Sequence, residues 1–290
     1  MGLRLKFTLL MAACFFIGLI AFASILFVAS QRDAREQLHA QIAVLRAQAL
    51  AVRTYTSDEI RPLISDLSDV QFLPQTVPSF SAQTVFARFR DRFPNFYYKE
   101  AALNPTNPSD LALPWERDLI ETLRNNPNQQ EVVQIRESDK GRQYTVAYPF
   151  VVGSESCLTC HSQPEKAPAS MVALYGKKNG FGWKLGETIG AQIISAPLEV
   201  AEGQAWQNLK LLIGATSALF LMLLLLINIL LRWMVINPVR KMAEITELVS
   251  MGDSSQPEYA HPGNDEISSL SQSFNRMRRS LDNAMKLLEN

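Results

Sequence analysis

Cysteine and histidine are scarce in this sequence, three of each in 290 residues. A structural zinc site takes about four ligands, usually from two close Cys or His pairs. Beyond His161 the only histidines are His39 and His261, so a zinc site is poorly supplied. Net charge is missing as well, with Lys plus Arg and Asp plus Glu balanced at 28 each. No basic stripe with interleaved aromatics breaks that balance, and nucleic acid is not an expected partner. No serine or carboxylate pair stands beside a placed base, so the chain is not expected to be an enzyme.

What the chain does contain is two long stretches without a charge. They are "FTLLMAACFFIGLIAFASILFVA", residues 7–29, and "LLIGATSALFLMLLLLINILL", residues 211–231. Each is long enough to cross a hydrocarbon core of about 30 Å at about 1.5 Å per residue, and neither keeps a polar face. The first has a competing reading as a cleaved signal peptide, through the small residues of "AFA" and "VAS". Apolar regions of signal peptides usually run only about 7–15 residues, which favours a retained anchor. Arg4 and Lys6 precede the first stretch, and Arg232, Arg240 and Lys241 follow the second. By the positive-inside rule both termini are then cytoplasmic, in the inner membrane of a bacterium. The expected organisation is a cytoplasmic N-terminus at 1–6, spans at 7–29 and 210–232, a periplasmic domain at 30–209 and a cytoplasmic tail at 233–290.

Cys14 lies inside the first stretch and reads as a small apolar packing residue. Cys157 and Cys160 form the motif "CLTCH" with His161. Three chemistries compete for it. Zinc lacks further ligands. Thiol–disulfide exchange expects a CxxC that opens a helix after a strand, whereas "VVGSE" before and "SQPEKAP" after this one read as a loop. Covalent haem c uses two thiols on adjacent turns to add to the two vinyl groups of one macrocycle, with the following histidine against the iron. Bacterial haem c is attached outside the cytoplasmic membrane, where the charge pattern independently puts this segment. Opposite the proximal His161, Met171 is the candidate distal ligand. His39, a weak Tyr55 phenolate and a vacant sixth position open to a gas are the alternatives, and Met171 also reads as a core methionine in a strand.

Around the motif, Leu38, Ile42, Leu45, Ala49 and Val52 recur at helical spacing and extend the first apolar helix outward until Pro62. Ser81 is placed to cap a helix bearing Val85, Phe86 and Phe89, and "LPWERDLIETLRNN" reads as a further helix. "EVVQIRE", the turn "SDKGR" and "QYTVAYPFVV" form a hairpin with Tyr144, Val146, Tyr148 and Phe150 on one face. "MVALYG" and "IGAQIISAPL" are two more strand candidates. Helices followed by an antiparallel sheet predict an α+β, PAS-like domain between two transmembrane helices.

Five segments in order, "VRTYTSDEIRPL", "FLPQTVPSFSA", "YYKEAALNPTNP", "CLTCHSQPEKAPASM" and "GFGWKLGETIGAQIISAP", resemble the successive motifs of the c-type-haem, PAS-like redox-sensor family of cyanobacteria and proteobacteria. The resemblance spans residues 50–197. It implies one periplasmic haem c in a PAS-like fold, with Cys157 and Cys160 as attachment sites and His161 as proximal ligand. Family members can use a thiolate as distal ligand, which this chain has no further outer cysteine to supply.

The tail also carries a pattern. Leu270, Phe274, Met277, Leu281, Ala284 and Leu288 alternate steps of four and three, a heptad seam that wants partner helices. With Pro238 and the acidic pair Asp265 and Glu266, the tail resembles a HAMP domain, which implies a homodimeric four-helix bundle. Ser268 stands where that pattern usually has glycine, and a generic coiled-coil tail is the plainer reading. The expected function is a transmembrane redox or gas sensor relaying through the HAMP bundle to a separate cytoplasmic partner. The rivals are a membrane-anchored monohaem cytochrome serving a redox partner, and a small-molecule chemoreceptor with a structural haem.

Overall fold

The computed structural model describes residues 2–64, 70–251, 253, 255 and 257–289, apart from the side chains of residues 3, 285, 286, 288 and 289. The chain forms two compact units, Phe27–Asn208 on the one hand and Met1–Leu26 with Leu209–Asn290 on the other.

Helix α1 runs from Leu3 to Tyr55 without a break. In its outward half Leu38, Ile42, Leu45 and Ala49 are buried, and Val52 packs at the edge of the same cluster. Pro62 has no N–H to continue the ladder. The chain answers with a π-turn at Thr56–Ile60 and one short helix, α2, at Arg61–Leu63. Helix α3, Pro78–Arg90, begins three residues before the expected cap. Pro78 suits the first turn, where its missing N–H is unpaired anyway, and Ser81 donates instead to the Gln75 carbonyl at 2.8 Å.

Strand β1, Tyr97–Ala102, follows, then α4 at Pro114–Asn125. The expected hairpin is β2, Val132–Ser138, with β3, Gly141–Val151. Two short helices come next, α5 at Glu155–His161 and α6 at Ala169–Tyr175, and then β4 at Thr188–Pro197. The run "MVALYG" is thus helical rather than extended. Pro168 opens it and Gly176, at φ +80°, stops it, two boundaries that outweigh the β-branched character of so short a run.

The four strands are antiparallel in the order β1-β4-β3-β2. Strand alternation divides them between two cores. Tyr144, Val146, Tyr148 and Ile194 meet α1 and α3, whereas Ala147, Ala191 and Ile193 meet Leu119, Ile120 and Leu123 of α4. This is the α+β domain expected from the residue pattern.

Two carboxylates are sealed in at the β1 side. Glu100 pairs with Arg53 of α1 and accepts from the Tyr98 hydroxyl at 2.6 Å and from Gln192 Nε2 at 3.4 Å. Glu116 pairs with Lys99 at 2.8 Å, accepts from the Tyr97 hydroxyl at 2.5 Å and caps α4 through the Leu113 N–H at 2.7 Å. Buried charge persists only with this degree of pairing.

The helical unit is built on α7, Leu198–Leu231, a π-turn at Arg232–Ile236, α8 at Asn237–Ser250 and α9 at Glu266–Glu289. The first and second helical runs are long and apolar enough to cross a membrane. Their side chains point outward, with Ile17 71% and Leu211 73% exposed, unlike those of a core helix. Phe15 stacks on Phe220 at 3.6 Å, and Asn228 accepts from Thr8 at 2.9 Å and Arg4 at 3.3 Å. Pro238 lies in the first turn of α8, as expected. Phe274 of the heptad seam is buried, while Leu270, Met277, Leu281 and Ala284 are exposed; Leu288 lies outside the described side chains.

Candidate functional site

The CxxCH motif is a helix, not a loop. Ser154 ends the preceding turn in an extended conformation and accepts from the Ser156 N–H at 3.1 Å, while Glu155 places negative charge in the first turn. Both favour nucleation directly after β3. Cys157 and Cys160, three residues apart, therefore share one face of α5. Both are free thiols and half-buried. Burial pushes the Cys160 thiol up, its neighbour Cys157 adds to this, and the Arg61 guanidinium pulls the other way.

His161 ends α5 and is held from three sides. Its Nδ1 lies 2.8 Å from the Gly180 carbonyl and 3.3 Å from the Thr106 hydroxyl. A carbonyl can only accept, so Nδ1 carries the proton and Nε2 keeps its lone pair. Among the described residues Nε2 has no hydrogen-bond partner. The ring stacks on Trp183 at 3.8 Å and 13°. Burial lowers the imidazole pKa, and the bond to Gly180 partly offsets this.

The loop that supplies Gly180 and Trp183 is zipped to the end of α5. Trp183 N–H donates to the His161 carbonyl at 3.2 Å and Gly182 N–H to the Ser162 carbonyl at 2.9 Å. Gly180 has φ +83°, and a Cβ there would sit 1.9 Å from Thr106 Oγ1 and 2.8 Å from Thr106 Cα. Only glycine fits. Asn104 fixes the same residue by accepting from its N–H at 3.2 Å. None of Asn104, Thr106, Gly180 or Trp183 follows from the CxxCH motif. The signal in the sequence was the glycine spacing of "GFGW", to which motif reading alone assigns no partner.

The distal candidates fare unequally. Met171 is buried on α6 and belongs to neither main core cluster. It lies on a helix where a strand was expected. His39 is committed elsewhere, with Nδ1 at 3.4 Å from the Tyr144 hydroxyl and Nε2 at 3.4 Å from Glu131. Tyr55 is 58% exposed at the end of α1. Among the described residues no group of three or more His, Cys, Asp or Glu side chains converges as a metal cluster would need. Cys157, Cys160 and His161 instead follow one another along the two turns of α5, two thiols and one unprotonated imidazole nitrogen. That donor set fits a covalently tethered haem better than zinc.

A family model described as Tll0287-like matches residues 31–197, more than half of the chain. The chain belongs to the Tll0287-like family. Its Tll0287-like domain is followed by a HAMP domain, matched over residues 230–283. Among solved structures, the crystal structure of the cyanobacterial heme-protein Tll0287 is similar at 19% identity and a TM-score of 0.40, covering 56% of this chain and 95% of that one. No curated protein matches. The Tll0287-like match reaches back into the outward half of α1, so the domain includes the helix that packs on its sheet.

Proposed function

We propose that this protein is a haem-based transmembrane sensor of redox state or of a gas, carrying one covalent haem c per chain. The observation that carries the reading is the pairing of the Cys157 and Cys160 thiols with a His161 whose Nε2 is left free by the Nδ1 bond to Gly180. The Tll0287-like match over residues 31–197 supports it. Cys157 and Cys160 would hold the macrocycle and His161 its iron, with Met171 the candidate for the opposite face. The group supplies a redox couple and a coordination site that protein side chains lack.

The chain's own part is positional. Gly180 and Trp183 fix the imidazole, and the loop bearing them leads directly into β4, which ends at Pro197 where α7 begins. A change in the position of His161 pulls on a loop attached by two backbone bonds and hence on the base of β4. The HAMP domain is the bistable element that such a displacement biases. The seam residues Leu270, Met277 and Leu281, exposed in one chain, support assembly as a homodimer. The proposed topology places 1–6 and 233–290 in the cytoplasm and 30–209 in the periplasm of a bacterial inner membrane, with spans at 7–29 and 210–232. The output is a separate cytoplasmic partner, without a catalytic step in this chain.

The test is expression of the full chain in a host that matures haem c, followed by denaturing electrophoresis with haem staining. Native protein keeps its haem on the polypeptide, and C157S/C160S releases it. Native protein without covalent haem would sink the proposal. A membrane-anchored electron-transfer cytochrome is separated by removing residues 237–290. Electron transfer to a soluble acceptor survives that truncation, whereas signalling does not.

A further inference from the structure

The outward half of α1 has two faces. One packs on the sheet through Leu38, Ile42, Leu45 and Ala49. At about 100° per residue, the opposite face carries Ala40, Ala43, Ala47, Leu50 and Thr54, with Val44 beside them. All six are exposed, Val44 to 58%. From Ala40 to Thr54 the steps alternate three and four, a heptad seam about 21 Å long.

What this face lacks is charge. A helix covered on one side only ordinarily turns its charged residues to the other. Between Glu36 and Asp58 the fixed charges are Arg46 and Arg53 alone, and both are drawn toward the sheet. Arg46 lies 3.9 Å over the Tyr148 ring, and Arg53 pairs with Glu100 and lies 4.7 Å over the Phe150 ring. A partner with a charged surface would find no counter-charge along the seam. A second copy of the chain meets it like for like, and the HAMP match over residues 230–283, with Met277 and Leu281 exposed on α9, calls for such a copy. Two copies inserted in one membrane in the same sense hold their α1 helices parallel, so each seam residue faces its own counterpart. The small side chains at Ala40, Ala43 and Ala47 let two helix axes approach to about 8 Å.

We propose that the outward half of α1 is a homodimer interface, in which the seam from Ala40 to Thr54 packs in parallel against the same seam of a second copy. The inference rests on the homodimeric reading above and adds a contact that the HAMP domain does not supply. Two heptads are too short to hold a coiled coil alone, but two chains tethered side by side meet at high effective concentration.

Oxidative crosslinking of the full chain in bacterial membranes, with Cys14→Ser to remove the thiol of the first apolar run, tests it. Ala47→Cys and Leu50→Cys give at least about tenfold more disulfide-linked homodimer than Gln48→Cys, which lies off the seam, because a disulfide needs Cα atoms within about 7 Å. Adding Ala43→Arg sets like charges across the seam and lowers the Leu50→Cys crosslink at least about tenfold. Met277→Cys on α9 reports the HAMP pairing separately. The proposal is overturned if Met277→Cys crosslinks while neither seam variant does. It is overturned equally if Gln48→Cys crosslinks as readily as Ala47→Cys, or if Ala47→Cys links to a protein of another size. Seam crosslinks without any at Met277→Cys support it and count against the HAMP pairing alone, whereas absence of both overturns both.

Discussion

The two units of this chain put their apolar side chains on opposite sides. In the sheet unit Ile120, Val146, Ile193 and Ile194 are sealed, and even two carboxylates are enclosed with their partners. In the helical unit Leu225 and Met277 are 64% and 63% exposed, while Asn228 is buried against Arg4 and Thr8. The cores of the first are complete in water. The second leaves apolar side chains uncovered along both long helical runs and along α9. The same hydrophobic effect acts on both, and what differs is the surroundings each unit requires.

Substitutions that would not matter in one unit should therefore be severe in the other. Glu116→Ala strands Lys99 in a dry site and should cost about 3–5 kcal/mol by urea denaturation of the sheet unit. A loss under about 1 kcal/mol would show that this pair is not sealed. Ile193→Ala, which empties the second core, should cost about 2–5 kcal/mol. Gly180→Ala should lower thermal stability and loosen the His161 contact with Trp183, read as a change in tryptophan fluorescence. Leu281→Glu should leave sheet-unit stability within about 0.5 kcal/mol of native while shifting dimer to monomer in light scattering. An unchanged dimer would place the partner surface elsewhere.

The smallest effects are in pH, and they have opposite signs. Burial, with Glu131 nearby, pushes the Tyr148 hydroxyl up to about 12. A raised folded pKa means stability present below the unfolded value near 10 and lost as pH rises toward 12, so the sheet unit should melt earlier across that window. Tyr148→Phe should flatten that slope. In the helical unit the Ser268 N–H and hydroxyl hold the Asp265 carboxyl below its ordinary value at the start of α9. Stability from that cap is present above the usual carboxylate pKa and lost as pH falls through the depressed one. Helicity of α9 should decline in acid, and Asp265→Asn should weaken that dependence.

The helices with a full stripe, such as Leu38 to Ala49, and the hairpin around Gly141 were legible because burial leaves a period in the sequence. So were the two apolar runs and the adjacency of Cys157, Cys160 and His161. β1 was not legible, because "YYKEAA" hides a buried Glu100 and a tethered Lys99 whose partners come from distant elements. Nor was the helical state of "CLTCH", which rests on the Ser154 cap and the Glu155 charge in the first turn. By itself, the sequence determined which residues carry thiol and imidazole chemistry and which stretches avoid water, since both depend on composition and local spacing. Only the tertiary structure decided that the Gly180 carbonyl accepts from Nδ1 of His161 and leaves Nε2 free. It also decided that His39 is spent on Tyr144 and Glu131. Those outcomes depend on distances between residues far apart in the chain, which no local pattern encodes.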